Sequence, residues 1–141
     1  MPPGWMFIAD FGMRQRTEDP RAIAANVALG QDELGERAFG AEGALTDYIA
    51  AQVKLIDGHL TGAKIAGPQA VAFAGAQEAC LLFVRHRPAG AGDMLHAQTY
   101  VRAGRWLGIV TLTTPEAQLR AVRADYEAFM KGLRILPPPA Q

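Results

Sequence analysis

Between Leu45 and Leu60 the apolar residues recur at helical spacing. Leu45, Tyr48, Ile49, Val53, Ile56 and Leu60 form one stripe, which predicts a helix from about Asp47 to Leu60. Thr46 suits its N-cap, Asp47 puts negative charge in the first turn, and Gly62 can end it. Gln52 stands inside the stripe, one turn after Tyr48 and one turn before Ile56, where a leucine would be expected. A second stripe is made by Leu119, Val122, Tyr126, Phe129, Met130 and Leu133, predicting a helix from about Pro115 to Leu133. Thr114 is its expected cap, and Pro115 and Glu116 suit the first turn. Arg120, Arg123, Glu127 and Lys131 lie off that stripe, toward solvent.

Between the helices the period changes to two. Ala70 to Ala74 reads as a short strand ending at Gly75, and Glu78 to Arg87 as a longer one, with Cys80, Leu82 and Val84 opposite Leu81 and Phe83. After the loop Pro88 to Gly92, strands follow at Asp93 to Arg102 and Arg105 to Thr113, joined by a tight turn at Ala103-Gly104. Consecutive strands with short connections predict an antiparallel meander, with the final helix folded back over one face. Ahead of the first helix, Trp5 to Met13 alternates in part and Ala22 to Leu29 can be a second strand; Arg14 to Arg21 reads as a charged loop and Gln31 to Gly43 as another. The expected architecture is one α+β domain over residues 1–141, an antiparallel sheet of about five to seven strands with two main helices. Residues 137–141, Pro-Pro-Pro-Ala-Gln, cannot extend a helix and are expected to fray.

Composition narrows the function classes. Fourteen Lys and Arg balance fourteen Asp and Glu, so no basic surface points to nucleic acid or to an anionic membrane. No apolar run approaches the roughly 20 residues that span a bilayer, so direct membrane insertion is not expected. The N-terminus has no basic stretch followed by an apolar one, which implies a cytoplasmic protein. Cys80 lies between Ala79 and Leu81 and reads as a core residue rather than a nucleophile. His59, His86 and His96 are not spaced as metal ligands, and the glycines match no phosphate-binding loop, so no metal, cofactor or enzymatic activity is expected. Gln98 is mid-strand, on the side shared by Met94, His96 and Tyr100.

From Leu45 onward the chain resembles the Eag-type effector-associated chaperones of type VI secretion. The stretches that carry the likeness are Leu45-Thr46-Asp47-Tyr48-Ile49-Ala50-Ala51-Gln52, Met94-Leu95-His96-Ala97-Gln98-Thr99-Tyr100 and Thr111-Leu112-Thr113-Thr114, in that order, with the last helix and a closing Leu-Arg-Ile-Leu. The resemblance covers roughly residues 25–135. It implies a PsbP-like fold and a cytoplasmic homodimer whose partner is an effector protein with apolar transmembrane helices. It also implies an effector-binding groove containing Gln52, Gln98, His96 and Tyr100, with Ile8, Phe11 and Met13 as apolar groove residues. Family members begin with a strand ahead of a Pro-x-x-Trp-like element. Trp5 is nearly at the start here, so that strand is expected to be missing, and Asp10 and Gly12 break the match around the groove residues.

Two other readings remain open. A PsbP-like scaffold with a soluble partner would show a polar sheet face beside Gln98, whereas a chaperone would show an apolar concavity there. A small-molecule binder or enzyme would need His86, His96 and Tyr100 to converge in an enclosed pocket.

Overall fold

The computed structural model describes residues 11–14, 25–34, 44–60, 62–88 and 92–135. Its elements are β1 (Phe11–Arg14), β2 (Asn26–Glu33), α1 (Ala44–His59), β3 (Lys64–Ala70), β4 (Glu78–His86), β5 (Met94–Ala103), β6 (Trp106–Pro115), a 3-10 turn (Glu116–Gln118) and α2 (Leu119–Gly132). The strands form a six-stranded antiparallel sheet in the order β1-β2-β6-β5-β4-β3. No helix among the described residues is long and apolar enough to cross a membrane. Ile8 and the tail 137–141 lie outside the described residues.

The meander β4–β5–β6 follows the alternation closely. Leu82 pairs with Gln98 and Val84 with His96, and Gln98 pairs onward with Thr111. The β5–β6 turn is Gly104-Arg105, one residue later than expected, because Ala103 still pairs with Trp106. Gly104 has φ +61°, which a glycine adopts without steric cost at the first central position of such a turn.

Several boundaries differ from the sequence expectation. The strand expected at Ala70 to Ala74 lies earlier, at Lys64–Ala70, and Ala74 keeps only an isolated bridge to Arg134. Gly67-Pro68 reads as a breaker, yet β3 is the sheet edge, where a proline's missing N–H leaves no neighbour unpaired. The register shifts between Ala66 and Gln69, and Gly67 there has φ +101° with its α-carbon so close to β4 that a Cβ would stand 2.8 Å from the Leu81 carbonyl oxygen. Strand β2 runs on to Glu33 through residues expected in a loop, because β6 supplies a full set of partners from Trp106 to Thr113. Likewise Arg14, expected in a loop, closes β1 opposite Asn26.

Neither threonine cap forms. Helix α1 starts at Ala44, so Thr46 is already in its first turn, and Thr114 is fully buried in β6 with its hydroxyl donated to the Pro115 carbonyl. The 3-10 turn separates Pro115 from α2, whose N-cap is Gln118 without a side-chain bond.

The two helices take opposite faces of the sheet. Leu45 and Ile49 of α1 are buried with Leu82, Val84 and Tyr100, on the even-numbered side of β4 and β5, and with Leu107 of β6, and Leu34 and Ala44 complete this cluster. Helix α2 lies on the other side, with Tyr126 against Thr99 and a trough lined by Leu81, Phe83, Leu95 and Ala97. Its expected buried stripe is packed less tightly: only Val122 is fully buried, while Tyr126, Phe129 and Met130 are half-buried.

Candidate functional site

Antiparallel register lines up the side chains of the α1 face in rows across the sheet. One row is Asn26, Thr113, His96 and Val84; the next is Ala28, Thr111, Gln98 and Leu82; then come Gly30, Ile109, Tyr100 and Cys80. Helix α1 packs where Tyr100, Leu107 and Leu82 are, so those side chains are buried. Toward β2 the surface changes character: Ala28 is exposed, and Asn26, His96, Gln98, Thr111 and Thr113 keep partial exposure. These positions are small or hydrogen-bonding, and none is an acid, a lysine or an arginine. The charged positions in register are Arg14, which pairs with Asn26 at the β1 end of the first row, and Asp32, Arg102 and Glu78, one row beyond Tyr100, where Arg102 Nε is ion-paired to Glu78 at 2.7 Å.

Gln98 is held from below. The buried Tyr100 donates its hydroxyl to Gln98 Oε1 at 2.5 Å, and burial pushes the Tyr100 pKa up to about 12, so the phenol stays a donor. Tyr100 meets Tyr48 of α1 edge to face, with ring centroids 6.2 Å apart, and Tyr48 donates to Asp32 Oδ2 at 2.6 Å. Burial first, and then the bond to the Asp32 carboxylate, raise the Tyr48 pKa. A phenol chain thus ties β2, α1 and β5 together beside Gln98. Gln52 follows Tyr48 by one turn, is half-buried and has no side-chain hydrogen bond among the described residues. The phenol chain reaches Gln98 through Tyr100, and Gln52 stands one helical turn from Tyr48 without a bond to Gln98.

His96 and Tyr100 share the Gln98 face, as the alternation predicts. His96 does not join Tyr100: its Nε2 lies 2.7 Å from His86 Nε2, and its Nδ1 lies 3.0 Å from Thr113 Oγ1. The convergence of His86, His96 and Tyr100 needed for a small-molecule site is therefore not present. The His86–His96 contact was legible in principle. The loop Pro88 to Gly92 is centred on Gly90, and symmetric pairing about it brings residue 84 opposite 96 and leaves 86 on the adjoining diagonal.

Phe11 and Met13 pair through their backbones with Leu29 and Val27, which in turn pair with Val110 and Leu112. Those partners belong to the α2 side, not the Gln98 rows. Apolar concavities among the described residues also lie there. One, of about 520 Å³, is bounded by Val71, Phe73, Leu81, Met130 and Leu133; another, of about 450 Å³, adjoins it under Leu119 and Tyr126.

No protein-family model matches the chain, and no curated protein does. Solved structures do. A Pseudomonas aeruginosa protein of unknown function, PA94, described as a putative regulator, has a TM-score of 0.75 at 22% identity, covering 99% of this chain and 90% of that one. LpqN of Mycobacterium tuberculosis, involved in cell envelope biogenesis, has a TM-score of 0.68 at 14% identity, covering 89% of this chain and 71% of that one. The cyanobacterial PsbP of Synechocystis, CyanoP, has a TM-score of 0.60 at 13% identity, covering 90% of this chain and 82% of its own.

The fold is PsbP-like. At such identities the likeness extends to architecture alone. On the α1 side of this sheet the central strand β5 carries a histidine and a glutamine, His96 and Gln98, ahead of the buried Tyr100.

Proposed function

We propose that this chain is a cytoplasmic chaperone or adaptor of the Eag type, which binds N-terminal transmembrane segments of a type VI secretion effector and shields them before export. The observation that supports the proposal is the row Ala28–Thr111–Gln98 with its neighbours Thr113 and Asn26, neutral positions that are small or able to hydrogen-bond, although the sheet there is more polar than the apolar concavity expected of a chaperone. A membrane helix carries glycine and serine positions where its backbone comes close to partners and its carbonyls need donors. Small residues on the chaperone let that helix approach, and leaving such groups desolvated without partners costs about 1–3 kcal/mol each. A glutamine amide supplies donor and acceptor without burying a charge. With its oxygen engaged by Tyr100, Gln98 offers its NH₂ group to the client. Gln52, free of intramolecular bonds among the described residues, offers both ends.

The same rows are too polar to hold an apolar helix by burial alone, at about 25 cal/mol per Å². The reading therefore requires a second copy of the chain to close over the client, the homodimer that the resemblance implies.

The experiment is co-expression with an effector whose N-terminal region contains predicted membrane segments, followed by co-purification. The effector should be stabilised and retained, and Gln98→Ala or Gln52→Ala should weaken binding by about tenfold, the equivalent of one lost hydrogen bond to a desolvated partner. Gln52→Ala should leave thermal stability unchanged, while Gln98→Ala also leaves the buried Tyr100 hydroxyl without its acceptor and should cost about 1–3 kcal/mol. An effector that is equally abundant and dispersed without this chain overturns the proposal.

A second reading is favoured by the polarity of the rows: a PsbP-like scaffold for a soluble partner. Thr111→Lys separates the two. A charge at that position should abolish capture of an apolar helix, whereas a hydrated interface tolerates it.

A further inference from the structure

The two histidines on the sheet meet in an unusual way. Their ring planes are within 13° of parallel, yet the centroids are 4.9 Å apart while the Nε2 atoms are only 2.7 Å apart. The centroid distance exceeds the nitrogen distance by nearly two ring radii. The rings are therefore edge to edge and nearly coplanar, with one Nε2–H pointing along the line to the other Nε2 lone pair. Thr113 Oγ1, on the neighbouring strand, holds the remaining ring nitrogen of His96 at 3.0 Å.

We propose that His86 and His96 form a site for a divalent transition metal ion of the Zn²⁺ or Cu²⁺ class, held by the two Nε2 atoms and completed by water. Imidazole suits these ions. A Zn²⁺ ion about 2.0–2.1 Å from each nitrogen at a tetrahedral angle needs them roughly 3.3 Å apart, so a small rotation of each ring makes the room. Both rings keep partial exposure, which gives the ion an entry path. Thr113 orients the His96 ring as a partner does in a metal site, and its hydroxyl, able to accept as well as donate, accepts the Nδ1–H in the tautomer whose Nε2 carries the lone pair for a metal. His86 reaches the matching tautomer by moving its Nε2 proton to Nδ1 through solvent. Both rings are then neutral ligands and the site takes on the charge of the ion alone.

The surroundings favour this occupant. The positions paired directly with the two histidines are Val84, Met94 and Thr113, none of them charged; the arginine of this row, Arg14 of β1, stands beyond Asn26, three strands from His96. Among the described residues no group of three or more His, Cys, Asp or Glu side chains is gathered for a metal. The coordination is therefore open and exchangeable rather than a closed structural cage. The inference is independent of the client reading, since it concerns the chain alone.

The test is titration of Zn²⁺ into the chelator-stripped full chain at pH 7.5, followed by calorimetry and by the ring signals of the histidines in NMR spectra. One equivalent should bind, shifting the His86 and His96 ring signals and leaving His59 unmoved. His86→Gln and His96→Gln should each weaken binding at least tenfold, Thr113→Val should weaken it about tenfold by releasing the His96 ring, and His59→Gln and Cys80→Ser should not change it. Cu²⁺ should bind more tightly than Zn²⁺, and binding should fall away as the pH is lowered to 5.5. Absence of saturable binding by the wild-type chain overturns the proposal. So does binding that is lost in Cys80→Ser or His59→Gln but kept in both histidine-pair variants. The ring signals of the wild type decide the matter should a variant fail to fold.

Discussion

Tyr100→Phe isolates the bond that positions Gln98. The ring of Tyr100 is 2% exposed and packs against Tyr48, so phenylalanine keeps the volume and the edge-to-face contact and removes only the hydroxyl. The partner left behind, Gln98 Oε1, belongs to a partly exposed side chain and can turn to water, so no desolvated acceptor is stranded. The loss is then the net value of one hydrogen bond, about 1 kcal/mol. For a chain of this size that lowers the thermal midpoint by about 3–5 °C. Urea unfolding should show a lower midpoint with an unchanged slope, since no additional surface is exposed. A double-mutant cycle with Gln98→Ala sharpens the test: the two changes remove the same bond, so their combined cost should fall short of the sum by about 0.5–1.5 kcal/mol. Additivity within about 0.3 kcal/mol would refute the reasoning. So would a loss above about 3 kcal/mol for Tyr100→Phe alone, which would mean that the hydroxyl has a buried partner no solvent can replace.

Two further outcomes follow from the packing and the electrostatics. Within α1, Ile49→Ala should cost about 3–4 kcal/mol because the side chain is fully buried, whereas Leu55→Ala, at a position 54% exposed, should stay within about 0.5 kcal/mol in the same denaturation assay. The His96 pKa is lowered by burial and by His86, so the unfolded chain takes up a proton more readily than the folded one. Stability should therefore be complete above the ordinary histidine value and decline as the pH falls through it toward the lower folded value; His96→Gln should flatten that part of the profile, measured as the urea midpoint between pH 7.5 and pH 5.

Both helices, the β4–β5–β6 meander and the side on which Gln98 stands with His96 and Tyr100 were legible in the residues themselves. Each rests on a local repeat: 3.6 for the stripes through Ile49 and Val122, and two for the strands. Strand β3 was misplaced because Gly67-Pro68 is a breaker everywhere except at an edge, and being an edge is a property of the sheet rather than of the segment. The extension of β2 to Glu33 was hidden for the same reason: its hydrogen-bond partners come from β6, more than seventy residues later.

What the amino-acid order determined alone was therefore the set of elements and the two sides of each strand. A period of two separates a strand's faces but carries no label saying which helix will cover which. That assignment depends on how the chain crosses the finished sheet, and only the tertiary structure made it. It set α1 over Leu82 and Tyr100 and α2 over Leu95 and Ala97, which placed the apolar trough behind the sheet and left neutral polar rows around Gln98. The edge-on meeting of His86 and His96 and the hold of Tyr100 on Gln98 were likewise decided there, because side-chain directions a few ångströms apart follow from packing on both sides of the sheet and not from spacing along the chain.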